Sequence, residues 1–484
     1  MLRYVSTRGE APALPFEGAL LAGLARDGGL FMPEFWPRLA PSDIAALAGL
    51  DYAQAAYRVM RPYLEGDPCL ADLETVVDEA YASFHHPAVA PLRQLAPATW
   101  LLELFHGPTL AFKDLAMQVV GRLMNRALLR QGARATVVGA TSGDTGAAAI
   151  EAFRGLDMVD IFILHPQGRV TDVQRRQMTT AAEANVHNIA IEGTFDDCQG
   201  IVKALFGDET LRDKLALTGI NSINFARILA QIVYYFTAAV ALGAPERAVS
   251  FTVPTGNFGD IFAGYAARAM GLPVERLVIA TNRNDSLTRA FATGIYEPKD
   301  VIATSSPSMD IQLASNFERL LFELAGRDGG RVRARMDALR RSGAFHLEAA
   351  EQAEMQKLFA AHSVGEQDTE MTIRSLFEET GMLVDPHTAV GVAAARQEVT
   401  ATPMIVLSTA HPAKFPEAVK RATGRVAEQP ERLRLKLGQD ERLTVLANDY
   451  DAVAEFISAR ARVRSDGASG ESVRSKRTRT EVGA

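Results

Sequence analysis

The strongest constraint on this chain is a rhythm in its second part. Seven short runs rich in Val, Ile and Leu recur from residue 99 onward, most of them bounded by Gly, Pro or Asn. They are TWLLELF (99–105), ATVVGA (135–140), VDIFILHP (159–166), VHNIAIEG (186–193), VSFTVPTG (249–256), RLVIATN (276–282) and TPMIVLST (402–409). Each has the length and texture of a buried strand. Helical stretches separate most of them. That alternation predicts an α/β fold with two doubly wound, mostly parallel sheets.

The segment before this rhythm reads differently. IAALAGL (44–50) and YAQAAYRVM (52–60) carry apolar residues at three- and four-residue spacing, with prolines between such segments, which predicts helices. The expected division is therefore a mainly helical domain over residues 1–95, a smaller sheet half over 96–250 and a larger half over 251–460. Residues 315–380, charged and helical in pattern, are expected to be an insertion in the larger half. Residues 462–484 hold six Lys/Arg and three Asp/Glu among Ser, Thr and Gly, and are expected to be a disordered basic tail.

A length of 484 residues exceeds what one ordinary core encloses, in keeping with several domains. A net charge of −7 argues against a nonspecific nucleic-acid binder. No run approaches the roughly 20 apolar residues of a membrane span. Residues 1–20 lack the apolar core of a secretory leader. Two cysteines, Cys69 and Cys198, cannot build a disulfide framework, and a reducing cytoplasm is the expected location.

Ligands of open α/β sheets sit at the carboxyl ends of strands, and three such ends carry unusual loops. In ELFHGPTLAFKDLAMQ (103–118), Lys113 falls where a strand and turn give way to a helix. A helix N-terminus and apolar neighbours both disfavour an ammonium, so an amine of lowered pKa is expected, suited to Schiff-base chemistry. A solvated first-turn lysine fits this stretch alone equally well. In TVVGATSGDTGAAAIEAF (136–153), Ser142, Gly143, Asp144 and Thr145 stand where main-chain N–H groups and hydroxyls could hold an anion. In FTVPTGNFGDIFAGYAARAMG (251–271), Gly256, Asn257, Phe258 and Gly259 could wrap a phosphate. Each glycine-rich turn could instead be a plain capped helix start. One ligand bearing a phosphate and an aldehyde would use all three loops.

HGPTLAFKD, GATSGDTG and VPTGNFGD together resemble threonine synthase of the longer bacterial and fungal type. YVSTRG (4–9), DGGLFMPE (27–34), FDDCQGIVK (195–203), NSINFARILAQIVYYF (221–236), SPSMDIQLASNFERLLFE (306–323), DPHTAVG (385–391) and STAHPAKF (408–415) extend the resemblance over about residues 2–419. It implies a pyridoxal 5'-phosphate enzyme with the fold of tryptophan synthase β (fold type II), the cofactor lying between two sheets. It also implies conversion of O-phospho-L-homoserine and water to L-threonine and phosphate. Lys113 would carry the cofactor, and Gly256, Asn257, Phe258 and Gly259 would hold its phosphate. Thr409 would give a hydroxyl to the pyridine nitrogen. Asp144 would stand beside the cofactor 3'-oxygen, where many relatives in the wider superfamily have Asn. Ser142, Gly143 and Thr145 would bind the substrate carboxylate. Lys203, Arg227, Lys414 and Arg175 are candidates for the substrate phosphate, and His106, His387 and His411 for orienting water or phosphate. An ordinary surface, ion-paired or structural role fits each of these equally well or better.

Other readings remain open: within enzymes, a lyase acting on related amino-acid phosphates or a hydroxyamino-acid dehydratase, and from another class, a catalytically silent ligand sensor on the same fold. The nine histidines show no ligand spacing such as HExxH, so no metal is expected. A small-molecule substrate and a monomer or weak dimer complete the expectation.

Overall fold

The computed structural model describes residues 1–141, 143–219 and 223–463. Two sheets dominate it. The larger has six strands in the order Phe359–Ser363, Val274–Thr281, Val249–Pro254, Met404–Ser408, Thr99–Glu103 and Leu92–Ala96. All its pairs are parallel except the last. The smaller has five parallel strands in the order Thr444–Ala447, Val186–Glu192, Val159–Pro166, Ala135–Ala140 and Leu217–Gly219. All seven expected strands are present. The most central are buried along their whole length, as in Val159–Pro166 and Val249–Pro254. Burial on both faces is why they read as unbroken apolar runs.

The two sheets interleave along the chain. Thr99–Glu103 pairs with Met404–Ser408 in the larger sheet, with Leu101 opposite Val406, although the sequence grouped it with the smaller half. Thr444–Ala447 returns to the edge of the smaller sheet. Segment 315–380 is not wholly helical: Phe359–Ser363 forms an edge of the larger sheet. Its FAAHS sequence is only part-buried and has one large apolar side chain, so it gives no apolar run.

The N-terminal region carries the helices Phe16–Ala22, Pro41–Ala45, Tyr52–Met60 and Leu70–Tyr81. Tyr52–Met60 starts where Asp51 accepts the amide of Gln54, an ordinary N-cap. A two-stranded antiparallel ribbon pairs Tyr4–Ser6 with Phe31–Pro33. Side chains from this region join one continuous core with those of the helices Lys113–Gln131 and Phe225–Ala241. Lys113–Gln131 is buried on nearly every side in its first three turns, so its first residue is fixed by the whole interior rather than by a surface loop. Among the described residues no helix is long and apolar enough to cross a membrane.

Candidate active site

Lys113 is the first residue of its helix and is 8% exposed. The preceding loop is held from three directions. Asp114 accepts the Thr109 amide and hydroxyl, both at 2.7 Å. Lys414 and Gln177 both donate to the Thr109 carbonyl, at 2.8 and 3.0 Å. Leu110 sits in the left-handed region at φ 62°, a conformation that persists only because these contacts impose it. Burial lowers the pKa of Lys113 to about 8, against an opposing pull from Asp144; the charges of Lys414 and Arg227 push in the same direction as burial. The expected weakly basic amine is therefore present, with desolvation as its main cause.

Asp144 begins the helix Asp144–Phe153 and lies between two amines. Its Oδ2 is 3.8 Å from Lys113 Nζ and its Oδ1 is 2.8 Å from Lys414 Nζ. Gln174 donates to Oδ1 at 3.0 Å and the Ser308 hydroxyl to Oδ2 at 3.3 Å. Burial alone would raise this carboxyl, but the two lysines and the hydrogen bonds hold it far below the usual range. Gly143 precedes it at φ 143°, and a Cβ there would lie 2.4 Å from the Gln174 side chain. Both facts require glycine. The amides of Gly143 and Gly146 are taken by the Thr141 hydroxyl at 3.0 and 2.9 Å, so part of the anticipated anion cradle is filled by the chain itself.

The third loop enters the helix Gly259–Ala269 through Phe258, which is left-handed at φ 65°. The Phe262 amide bonds to the Phe258 carbonyl at 3.2 Å. The start of such a helix is where main-chain amides accept an anion. Gly256 packs against the turn Pro307–Met309, where a Cβ would lie 2.8 Å from the Ser308 carbonyl oxygen.

Family models described as threonine synthase N terminus, pyridoxal-phosphate dependent enzyme, and threonine synthase, C-terminal, match residues 3–81, 86–408 and 388–457. A threonine synthase of Pseudomonas aeruginosa is 54% identical over 460 residues, covering 94% of this chain and 98% of that protein. The chain belongs to the threonine synthase family. Its fold is that of solved threonine synthases. A pyridoxal-phosphate-bound one from Brucella melitensis gives a TM-score of 0.94 at 54% identity, covering 96% of this chain and all of that one. The yeast enzyme gives 0.89 at 40% identity, covering 95% and 98%. Pyridoxal 5'-phosphate is the family's cofactor, and the residues here fit it. A buried amine of lowered pKa answers its aldehyde, and the helix start at Gly259 answers its phosphate.

The candidate residues of this threonine synthase lie in different places. Lys113, Asp144 and Lys414 are brought together, and Arg227 is buried within electrostatic reach, its own pKa lowered to about 10 by burial. Thr409 is buried, and its carbonyl accepts the Phe112 amide at 2.8 Å, next to Lys113. Asn257 accepts the amides of Asn316 and Ser315 at its carbonyl and side chain, bracing the phosphate loop. Thr145 lies half-buried in the first turn after Asp144. Ser142 lies outside the described residues. Lys203 is exposed on Phe195–Gly207 and makes none of the contacts that join Lys113, Asp144 and Lys414. Arg175 is bound to Glu441 by two hydrogen bonds, at 2.9 and 3.1 Å, and also meets Asp172.

The three candidate histidines make local contacts. His106 pairs with Glu103 at 2.9 Å, and His387 meets Asp385 at 2.6 Å and accepts the Ser308 amide at 3.2 Å. His411 caps the turn Pro412–Lys414, its pKa lowered to about 4 by burial first and His106 second. The residues that sequence reasoning missed are Gln174, Asp114 and Ser308. Ser308 lay inside a family-like segment, yet a lone serine carries no signal of its own.

Proposed function

We propose that this protein converts O-phospho-L-homoserine and water to L-threonine and phosphate, acting on a free small-molecule substrate. The observation that carries this reading is the buried, weakly basic Lys113 amine beside a helix start shaped for a phosphate. Bound there, pyridoxal 5'-phosphate supplies an electron sink for negative charge developing on the substrate.

The chain's own residues do the rest. Lys113 carries the cofactor and, once released, moves protons at substrate Cα and Cβ. Gly256, Asn257, Phe258 and Gly259 hold the cofactor phosphate, and the Thr409 hydroxyl serves its ring nitrogen. Ser142 and Thr145 serve the substrate carboxylate, and Gly143 joins them only by giving up its bond to the Thr141 hydroxyl. Asp144, fixed by Lys414 and Gln174, keeps an anion at 3.8 Å from Lys113 Nζ and limits the fall in its pKa. Arg227 supplies buried positive charge for the substrate phosphate. Lys414 reaches that phosphate only by loosening its grip on Asp144. Lys203 would serve it only by moving inward from its exposed helix.

The residue ranges 1–95, 96–250 and 251–460 stand as a proposed division of labour, apart from the strands Thr99–Glu103 and Thr444–Ala447, which cross to the other half's sheet, with the larger half supplying the phosphate loop. We place the enzyme in fold type II, in the cytoplasm, where two free buried cysteines suit reducing conditions, and as a monomer or weak dimer. The decisive assay follows phosphate release from O-phospho-L-homoserine against ammonia release from L-threonine. Phosphate with threonine formation is expected. Ammonia release alone would make the protein a dehydratase.

A further inference from the structure

One residue touches every part of this site without belonging to any of its three strand-end loops. Ser308 lies in the short turn Pro307–Met309. Its hydroxyl is 3.3 Å from Lys113 Nζ and 3.3 Å from Asp144 Oδ2. Its carbonyl faces Gly256, and its amide donates to His387 Nε2 at 3.2 Å.

The geometry dictates the hydroxyl's polarity. Asp144 is an anion, so it is acceptor only. The single Ser308 proton therefore goes to Asp144 Oδ2. What remains toward Lys113 is oxygen lone pairs, which accept an N–H whether the amine is charged or neutral. A neutral amine held this way has its own lone pair directed elsewhere.

The turn that delivers Ser308 is rigidly built. Asn282 donates to the Ser306 hydroxyl at 3.0 Å and to Asp310 at 2.8 Å. Asn284 and the Thr304 hydroxyl reach the same Asp310 oxygen at 3.0 and 2.7 Å. His387 accepts the Ser308 amide at Nε2, which leaves the proton on Nδ1 to meet Asp385. Both sides of the turn are thus anchored before any ligand arrives, as a positioning group requires.

We propose that Ser308 is a positioning residue for the Lys113 amine: its hydroxyl, committed as a donor to Asp144, presents only lone pairs to Nζ and so turns the nitrogen's own lone pair away from the Ser308 oxygen. The proposal rests on Lys113 being the working amine, but not on which substrate is turned over. It assigns the proton-transfer geometry to a side chain from the Pro307–Met309 turn.

The test measures the amine itself. Full-length protein freed of cofactor is labelled with trace acylating reagent across a pH series, and Lys113 is followed by mass spectrometry. Circular dichroism checks that each variant is folded. In S308A the ammonium loses an acceptor, so the labelling midpoint of Lys113 should fall by about one pH unit. S308C, close in shape and a poor acceptor, should shift the same way, and S308T should restore most of the difference. In the cofactor-loaded enzyme, S308A should lower kcat about tenfold with KM little changed, and the acid limb of its pH profile should move down. A folded Ala or Cys variant with the wild-type labelling midpoint overturns the proposal. Because labelling needs no turnover, that result is separate from a failure of the proposed reaction.

Discussion

Replacing Lys414 by Met tests whether one buried anion is shared between two amines. Lys414 is fully buried, with Nζ 2.8 Å from Asp144 and 2.8 Å from the Thr109 carbonyl. Met keeps much of the volume and removes the charge and both hydrogen bonds. Two consequences follow, on different observables. Breaking one side of a buried ion pair typically costs about 3–5 kcal/mol. Asp144 retains Gln174, Ser308 and Lys113, so the low end applies, about 3 kcal/mol. At roughly 2.1 cal/mol/K per residue, the unfolding entropy of such a chain is about 1 kcal/mol/K, so the melting midpoint should fall by about 3 °C. The second consequence is electrostatic. Two like charges sharing one buried counterion repel by about 2 kcal/mol at an effective dielectric of about 20, worth about 1.5 pH units. Lys414 exerts this push on Lys113. Removing it should raise the Lys113 pKa from about 8 toward its ordinary value. The acid limb of kcat/KM should then move up by about one unit, opposite to the shift expected for S308A. A limb that stays in place or moves down, in a variant with the expected melting shift, would refute the shared-anion argument.

Three further outcomes are expected. Lys113→Arg should show no visible cofactor absorbance after reconstitution and no turnover, because a guanidinium stays protonated. Gly256→Ala places a Cβ 2.8 Å from the Ser308 carbonyl and 3.2 Å from Met309 Cα, both main chain, so the turn must move; titration with pyridoxal 5'-phosphate should show affinity about tenfold weaker. Asp260 is pushed up to about 6 by burial, against hydrogen bonds from Tyr234 and Tyr235. The folded state therefore keeps a proton that the unfolded chain has released, so stability declines as pH rises from about 4 to about 6, by up to about 3 kcal/mol. Asp260→Asn, whose carbonyl still accepts from the tyrosines, should flatten that window in melting scans.

The legible part of this protein was what local pattern alone determines. Inner strands announced themselves because burial on both faces leaves mostly apolar residues. Lys113 was conspicuous because an amine at a helix start, flanked by Phe and Leu, has an electrostatic consequence wherever the chain goes. Edge strands escaped because one exposed side removes the run: Thr444–Ala447 alternates half-buried with exposed, and Leu217–Gly219 has three residues. Sheet membership escaped because strand pairing is nonlocal, so nothing near residue 99 says that its partner is residue 404. Gln174 and Ser308 escaped for the same reason, since each acts across the interior on Asp144, 30 and 164 residues away.

The acid at position 144 gains its explanation from this nonlocal packing. A neutral amide there would leave Lys414 fully buried with only the Thr109 carbonyl as a close acceptor, a charge with no counterion in low dielectric. An acid without Lys414 would pull Lys113 upward and strengthen its ammonium at the expense of the free amine. The two residues therefore constrain each other. Lys414 stabilises the carboxylate and absorbs most of its field, and the remainder, reaching Lys113 at 3.8 Å, offsets part of the desolvation that favours the neutral amine. The outcome is an amine titrating about 1 unit above neutral pH. It is protonated often enough to give a proton and free often enough to take one.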